Sequence, residues 1–131
     1  MPAVRTLERR LGHTFRRKNL LIEALTHPSF ENKACYERLE FLGDLILDAI
    51  VGTRLFRKHA DARENFLTDL KSAYVNRRFL HEVGEALGLG KHIRFRGSDL
   101  PRFDNFVEAV IGAVYLDGGW KKTETVVLKW I

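Results

Sequence analysis

Residues 36–51 form a strongly apolar stretch in which nearly every charged side chain is acidic. The acids are Glu37, Glu40, Asp44 and Asp48, at steps of three, four and four residues. Because a helix turns by about 100° per residue, this spacing places all four on one face. Adjacent carboxylates repel each other, and partial burial further penalises their ionised form. The pattern therefore predicts a helix whose acidic face binds a cation.

Apolar positions recur every three or four residues along most of the chain, and no stretch alternates for long as a strand does. The sequence therefore predicts an all-α fold, a helical bundle around a long central helix at about 34–59. That helix is apolar on nearly every side, which indicates a buried position. Other helices are expected at Leu7 to Phe15, at Lys18–Ala24, at 67–87, at 103–117, and from Trp120 or Lys121 onward. Gly12 weakens the pattern of the first of these, and a kink near Asn76 is one option within the helix at 67–87.

The composition fits one domain over residues 1–131, because a hydrophobic content of 45% is enough to bury a core. The single cysteine, Cys35, allows no internal disulfide and no Cys-rich zinc site, which agrees with a reducing compartment. No apolar run is long enough to span a bilayer, and no signal peptide is evident. We therefore expect a cytoplasmic protein with no membrane partner.

The net charge of +5 is unevenly distributed, because basic residues concentrate before and after the acidic stretch. A basic surface around an acidic pocket would attract a polyanion and place cations at its phosphates. Nucleic acid is therefore the expected partner, and residues 91–102 form an Arg-rich, exposed loop that is the best candidate for touching it. Ordinary solvated charge is the alternative.

The acidic helix needs a second element to complete a metal site. Glu40 and Asp44, four residues apart, can face one ion, and a later helix offers Glu108 with either Asp104 or Asn105. Oxygen ligands without Cys or clustered His favour Mg²⁺, with Mn²⁺ as a substitute, over Zn²⁺. Two facing acidic helices would suit hydrolysis of a phosphate ester. Acids at this spacing also occur on ordinary solvated helices, which is the alternative.

Residues 37–44, which read Glu-Arg-Leu-Glu-Phe-Leu-Gly-Asp, resemble the signature of the ribonuclease III family. The likeness continues in residues 25–30, 67–89 and 108–119, and so covers nearly the whole chain. The resemblance implies an all-α endonuclease domain that acts as a homodimer and depends on Mg²⁺. It implies hydrolysis of phosphodiester bonds in double-stranded RNA, as in RNA processing.

The resemblance also implies roles for individual residues. The metal ligands that it implies are Glu40, Asp44, Asn105 and Glu108. The catalytic residues that it implies are Asp44, Glu108, Glu37 and Glu64. Phe41 matches a residue that is inserted into the partner subunit, although core packing is what the sequence alone would favour. The candidate RNA-binding residues are Arg94, Arg96 and Arg102, each with ordinary surface charge as the alternative.

The chain departs from the family pattern at Asn105, where the family usually has an Asp three residues before its last acid. Asp104 is one residue too early, but it could replace the missing carboxylate if the helix were rotated. No separate double-stranded-RNA-binding domain is recognised in residues 1–131. These departures leave open a second hypothesis, a catalytically weak or inactive ribonuclease III-like domain that binds structured RNA or a ribosomal partner.

Overall fold

Helices dominate the structure, and the longest unbroken one lies at its centre. The computed structural model describes residues 2–131, with side chains from residue 4 onward. Its helices are α1 (Pro2–Leu11), α2 (Lys18–Ala24), α3 (Glu37–Lys58), α4 (Glu64–Val75), α5 (Arg77–Leu87) and α6 (Asp104–Leu128), with a 3₁₀ turn at Leu89–Lys91. These elements confirm the predicted all-α fold. No helix within residues 2–131 is long and apolar enough to cross a membrane.

The helix boundaries differ from the predicted ones where a local backbone feature intervenes. α1 ends at Leu11, before Phe15, because Gly12 has the left-handed φ of 82° that commonly ends a helix. α3 begins at Glu37 and not near 34, and the preceding residue, Tyr36, donates its amide to the carbonyl of Thr26 at 2.9 Å. α6 is continuous in its bounds to Leu128, but Gly119, at φ 83° and ψ −176°, breaks its helical geometry, which confirms the predicted change from a helix at 103–117 to another beginning near Trp120.

The segment predicted as one long helix at 67–87 is two helices that meet at Asn76. The Asn76 amide nitrogen donates to the carbonyls of Ser72 and Ala73 at 2.8 and 3.2 Å. Its side-chain oxygen accepts the backbone N–H of Phe79 at 2.8 Å. One side chain thus supplies hydrogen-bond donors to the backbone carbonyls at the end of α4 and an acceptor to a backbone N–H at the start of α5. The kink considered in the sequence is therefore a complete break.

Two glycines let the backbones of α3 and α6 touch. A Cβ atom on Gly43 of α3 would overlap the carbonyl oxygen of Glu108, and one on Gly112 of α6 would overlap the carbonyl oxygen of Leu39. Buried apolar side chains flank this contact, among them Leu47, Ile50, Val51 and Leu55 of α3 and Val107, Val110, Ile111 and Val114 of α6. The close approach brings the acidic face of α3 beside Glu108.

Two buried acids fix the loop between α1 and α2. Glu8 accepts the backbone N–H of Phe15 at 2.7 Å and pairs with Lys18 at 2.6 Å. Asp117 of α6 accepts the backbone N–H groups of Arg16 and Arg17, both at 3.0 Å. These charge-assisted hydrogen bonds hold the loop against the helices and offset the cost of burying the carboxylates.

Replacing Gly43 by alanine tests the contact between α3 and α6. Because the added methyl group would meet a backbone carbonyl, we expect Gly43→Ala to lower the free energy of unfolding by about 2–4 kcal/mol. Gly52→Ala is the matched control, since it lies on the same helix with nothing within 4 Å of the added carbon. The control should raise stability by up to about 1 kcal/mol. Urea denaturation measures both, and equal effects would contradict the close approach.

Candidate metal-binding site

Three of the predicted metal ligands lie together where α3 meets α6. Glu40 and Asp44 share one face of α3, and Glu108 faces them from α6 next to Gly43. The Asp44 carboxyl lies close enough to that of Glu108 to raise its pKa. We call Glu40, Asp44 and Glu108 the carboxylate cluster.

Within residues 4–131, no ion pair compensates the negative charge of the cluster. Burial, the interaction with Asp44 and the charges of Glu40 and Asp104 raise the pKa of Glu108 to about 9. Burial, followed by the charges of Asp104, Glu37 and Asp44, also raises the pKa of Glu40. The ion pairs among the described side chains leave all three cluster carboxylates without a cationic partner. The site therefore favours a bound proton or a bound cation.

The donor set fits a hard divalent cation. Its carboxylate oxygens, with the amide oxygen of Asn105 nearby, are the ligand type that Mg²⁺ and Mn²⁺ prefer. In their present arrangement, however, no three His, Cys, Asp or Glu side chains among the described residues stand close enough together to hold one ion. The raised pKa of Glu108 favours a proton on that side chain. A cation would have to displace that proton before Asp44 and Glu108 could both bind it.

Asn105 lies beside Tyr36, a residue that the sequence did not single out. Burial and then the charge of Glu40 raise the pKa of Tyr36, so its hydroxyl lies near the cluster. The Asn105 side chain opposes the rise in the pKa of the Tyr36 hydroxyl. The Tyr36 ring packs on Phe106 with centroids 4.6 Å apart. The spacing of four residues between Tyr36 and Glu40 is the sequence signal that could have identified it.

Asp104 does not supply the carboxylate that is missing at Asn105. It is buried, with 2% of its surface exposed, and both of its oxygens accept hydrogen bonds from arginines. Arg77 donates to one oxygen at 3.0 Å and Arg102 donates to the other at 3.2 Å. The idea that Asp104 replaces the missing carboxylate is not supported in this arrangement, because each of its oxygens already faces a guanidinium group. Arg102, predicted to bind RNA, has Asp104 as its partner here.

The remaining predicted acids lie at different distances from the cluster. Glu37 is exposed at the start of α3, and its charge contributes to the raised pKa of Glu40. Glu64 is exposed at the start of α4, and none of the polar contacts of residues 4–131 connects it to the cluster. Asp48 forms an ion pair with Lys71 of α4 at 3.5 Å. Glu37 thus lies at the edge of the site, whereas the hydrogen bonds and ion pairs of residues 4–131 link neither Glu64 nor Asp48 to it.

Phe41 lies on the surface of α3 and is 71% exposed. Leu45, one helical turn later, is also exposed. Phe41 borders a groove of about 560 Å³ whose lining includes Leu39, Leu42 and Leu116. Core packing, the alternative that the sequence alone favoured for Phe41, is therefore wrong.

Two of the predicted RNA-binding arginines are held together by one aromatic ring. The guanidinium carbons of Arg94 and Arg96 lie 4.4 and 4.8 Å from the ring centroid of Phe30. The backbone N–H of Arg96 donates to the hydroxyl of Ser29 at 3.0 Å. Residues 26 and 94 also form a parallel backbone bridge that joins the two loops. The loop is therefore tied down, and both arginines remain exposed.

These features define an all-helical domain with carboxylates from two helices at one site. A model of the ribonuclease-III-like family matches residues 17–131, and the chain belongs to this family. Among curated proteins, ribonuclease 3 of Campylobacter jejuni strain RM1221 is 40% identical over all of this chain and 62% of its own length. Ribonuclease 3 of Wolinella succinogenes is 39% identical over 97% of this chain and 57% of its own length. The chain thus spans about three fifths of these relatives.

Solved structures agree with this assignment. A nuclease-domain structure of Campylobacter jejuni ribonuclease III, described as flexible in a region involved in dimer formation, has a TM-score of 0.91 and 38% identity. The match covers 96% of this chain and 94% of that one. Dicer from Pichia stipitis is similar at a TM-score of 0.66 and 25% identity, over 88% of this chain and 52% of Dicer. The fold is therefore that of a ribonuclease III nuclease domain.

Glu108→Gln tests the electrostatics of the cluster through pH. Because the pKa of Glu108 is about 9 in the folded protein and 4.5 as the ordinary value, the folded state retains a proton that the unfolded state loses between those values. Stability without metal should therefore fall as pH rises through that window. Glutamine removes this contribution, so Glu108→Gln should raise the melting temperature at pH 8 by several degrees and change it little at pH 4.5.

Thermal melts in EDTA across pH 4.5–8.5 measure this effect. Asp69→Asn, which removes an exposed carboxylate on α4, is the control and should shift the curve by about the same small amount at every pH. A Glu108→Gln variant that melts below the original protein at pH 8 would argue against the raised pKa.

Proposed function

We propose that this chain is the nuclease part of an Mg²⁺-dependent endoribonuclease that hydrolyses phosphodiester bonds of double-stranded RNA as a homodimer. The observation that carries the proposal is the meeting of Glu40 and Asp44 of α3 with Glu108 of α6. The names of the relatives, ribonuclease 3, agree with it. A cytoplasmic location and a role in RNA processing remain predictions that follow from the same assignment.

Glu40, Asp44 and Glu108 would bind the cation, with the Asn105 amide oxygen as an additional ligand. The bound cation would supply positive charge against the phosphate oxygens and would acidify an attacking water. Its charge would also offset the repulsion that raises the pKa values of Glu40 and Glu108. Glu37, at the edge of the site, is placed to accept a proton there. Glu64 is retained as a catalytic residue from the family resemblance alone.

The exposed arginines of the loop at residues 91–102 fit an RNA backbone. Arg94 and Arg96, held on Phe30, are exposed guanidinium groups whose positions are already restricted. Restricting such long side chains in advance lowers the entropy lost when they bind a phosphate. A-form RNA is recognised mainly through its shape, its phosphates and its 2′-hydroxyl groups. We therefore expect little sequence preference and a strong dependence of binding on salt.

The exposed apolar residues on α3 support the proposed homodimer. An exposed large aromatic such as Phe41 is typical of an interaction site when further apolar residues surround it. The groove beside Phe41 is lined with leucines, so two copies related by a two-fold axis could each place Phe41 into the groove of the other. The region involved in dimer formation of the Campylobacter jejuni nuclease domain gives a precedent within the family.

Cleavage of a long RNA duplex in Mg²⁺ tests the proposed activity. We expect the original chain to cut it, and Asp44→Asn and Glu108→Gln to slow cutting about 100-fold or more, because each removes a charged metal ligand. Asn105→Asp should increase the rate at low Mg²⁺, because it restores a charge at the cluster. Asp69→Asn is the control and should cut normally.

The outcomes separate the two hypotheses for this chain. Cleavage by Asn105→Asp alone would identify Asn105 as the defect in a weakened site. Cleavage by neither protein would reject the enzyme and favour the alternative, a ribonuclease III-like domain that binds structured RNA or a ribosomal partner without cutting.

Phe41→Ala tests the dimer. If Phe41 occupies the groove of a partner subunit, its truncation should weaken dimerisation at least about tenfold, as for a central aromatic in an interface. Sedimentation equilibrium would then show mass shifting toward the 15.2 kDa monomer. Phe66→Ala, another exposed aromatic but on α4, is the control and should leave the association unchanged. A monomeric original protein would reject the dimer.

A further inference from the structure

A second group of charged side chains lies next to the carboxylate cluster, and its net charge is positive whereas that of the cluster carboxylates is negative. Asp104, the first residue of α6, is buried and accepts one hydrogen bond on each of its oxygens. Arg77 donates from Nε to one oxygen at 3.0 Å, and Arg102 donates from Nε to the other at 3.2 Å. One carboxylate therefore holds two guanidinium groups, which leaves a net charge of +1 on the three side chains. We call Arg77 and Arg102 the arginine pair.

Both members of the arginine pair keep most of their hydrogen-bonding capacity. A guanidinium group has five N–H donors, and the contact with Asp104 uses the one on Nε. The side chain of Arg77 is 77% exposed and that of Arg102 is 54% exposed. Fixing Nε on a buried carboxylate therefore leaves the terminal nitrogens of both groups open to solvent. Such an arrangement suits binding of a phosphate by two N–H groups at a time.

The backbone that carries the pair is also fixed. Arg77 is the first residue of α5, and His81 lies one turn later on the same helix. The Nδ1 atom of His81 accepts the backbone N–H of Phe103, the residue after Arg102, at 3.0 Å. The rings of His81 and Phe103 stack with centroids 4.9 Å apart. Both arginines thus belong to one packed unit, so little of their freedom remains to be lost on binding.

The pair and the cluster are neighbours because Asp104, which binds the pair, and Glu108 of the cluster lie four residues apart on one face of α6. We propose that Arg77 and Arg102 bind a backbone phosphate of double-stranded RNA next to the linkage that is cut at the carboxylate cluster. Asp104 is the residue that positions them. This inference rests on the proposed function, since it assigns a substrate contact of the same site.

The test measures binding of a short fluorescent RNA duplex by anisotropy, in EDTA so that no cutting occurs, over a series of KCl concentrations. Arg77→Gln and Arg102→Gln should each weaken binding about fivefold and lower the slope of log Kd against log salt by about 1. Arg78→Gln is the matched control: it removes the same charge from the neighbouring residue, which is 91% exposed and pairs with Glu82. It should change Kd less than about twofold.

Variants that retain the charge separate a positioned pair from general surface charge. Lysine cannot bind Asp104 and a phosphate with the same fork of donors. Arg77→Lys and Arg102→Lys should therefore still lose affinity, about threefold each, whereas Arg78→Lys should not. Circular dichroism melts verify that each variant is folded at the assay temperature. If Arg77→Gln does not fold, the two lysine variants and Arg102→Gln decide the matter.

The possible outcomes also separate this inference from the proposed function. If the glutamine variants behave like Arg78→Gln, or the lysine variants bind like the original protein, the pair is not a phosphate site, although the nuclease assignment stands. If the original protein does not bind the duplex at all, both the substrate class and this inference are wrong. Selective loss at the pair, with the control unchanged, supports the assignment.

Discussion

The contact between the backbones of α3 and α6 is the constraint on which the site depends. Helices normally pack with their axes about 8–10 Å apart because side chains separate them. At Gly43 and Gly112 there is no Cβ on the facing side, so each glycine lies against a carbonyl oxygen of the other helix. This approach places Glu108 opposite Glu40 and Asp44. A wider spacing would leave three solvated carboxylates instead of one interacting group.

The contact creates an electrostatic cost that the ion pairs of the described side chains do not relieve. The apolar core on both sides of the helices fixes them in place, so the carboxylates cannot move apart without loss of packing. Without a cation, the protein accommodates the cluster by favouring a proton on Glu108, whose pKa is raised to about 9. The same burial that makes the cluster unfavourable as a trio of anions makes it a favourable place for a divalent cation.

The sequence predicted the elements of this site better than the connections between them. Helical periodicity and the spacing of Glu37, Glu40 and Asp44 depend only on local geometry, and both the all-α fold and the central helix follow from them. The exposure of Phe41 could not be inferred from periodicity, because a large apolar residue on an amphipathic helix can face either a core or a partner, and only the family resemblance indicated the partner. The role of Asn76 as a complete break was likewise hidden, since it depends on hydrogen bonds at both sides of one residue.

Asp104 illustrates what a shift of one residue does on a helix. Moving a carboxylate from position 105 to 104 rotates it by about 100°, away from one neighbour and toward another. Its new neighbours are Arg77, which is 27 positions away in sequence, and Arg102. Only the packing of α5 against α6 brings Arg77 there, so no local pattern could reveal the contact.

The Asp104 carboxylate still adds to the negative potential at Glu40 and Glu108, but its own charge is more than balanced by two guanidinium groups. The site is therefore acidic toward α3 and basic toward α5. A cation and a polyanion could occupy adjacent positions there without either having to displace the other.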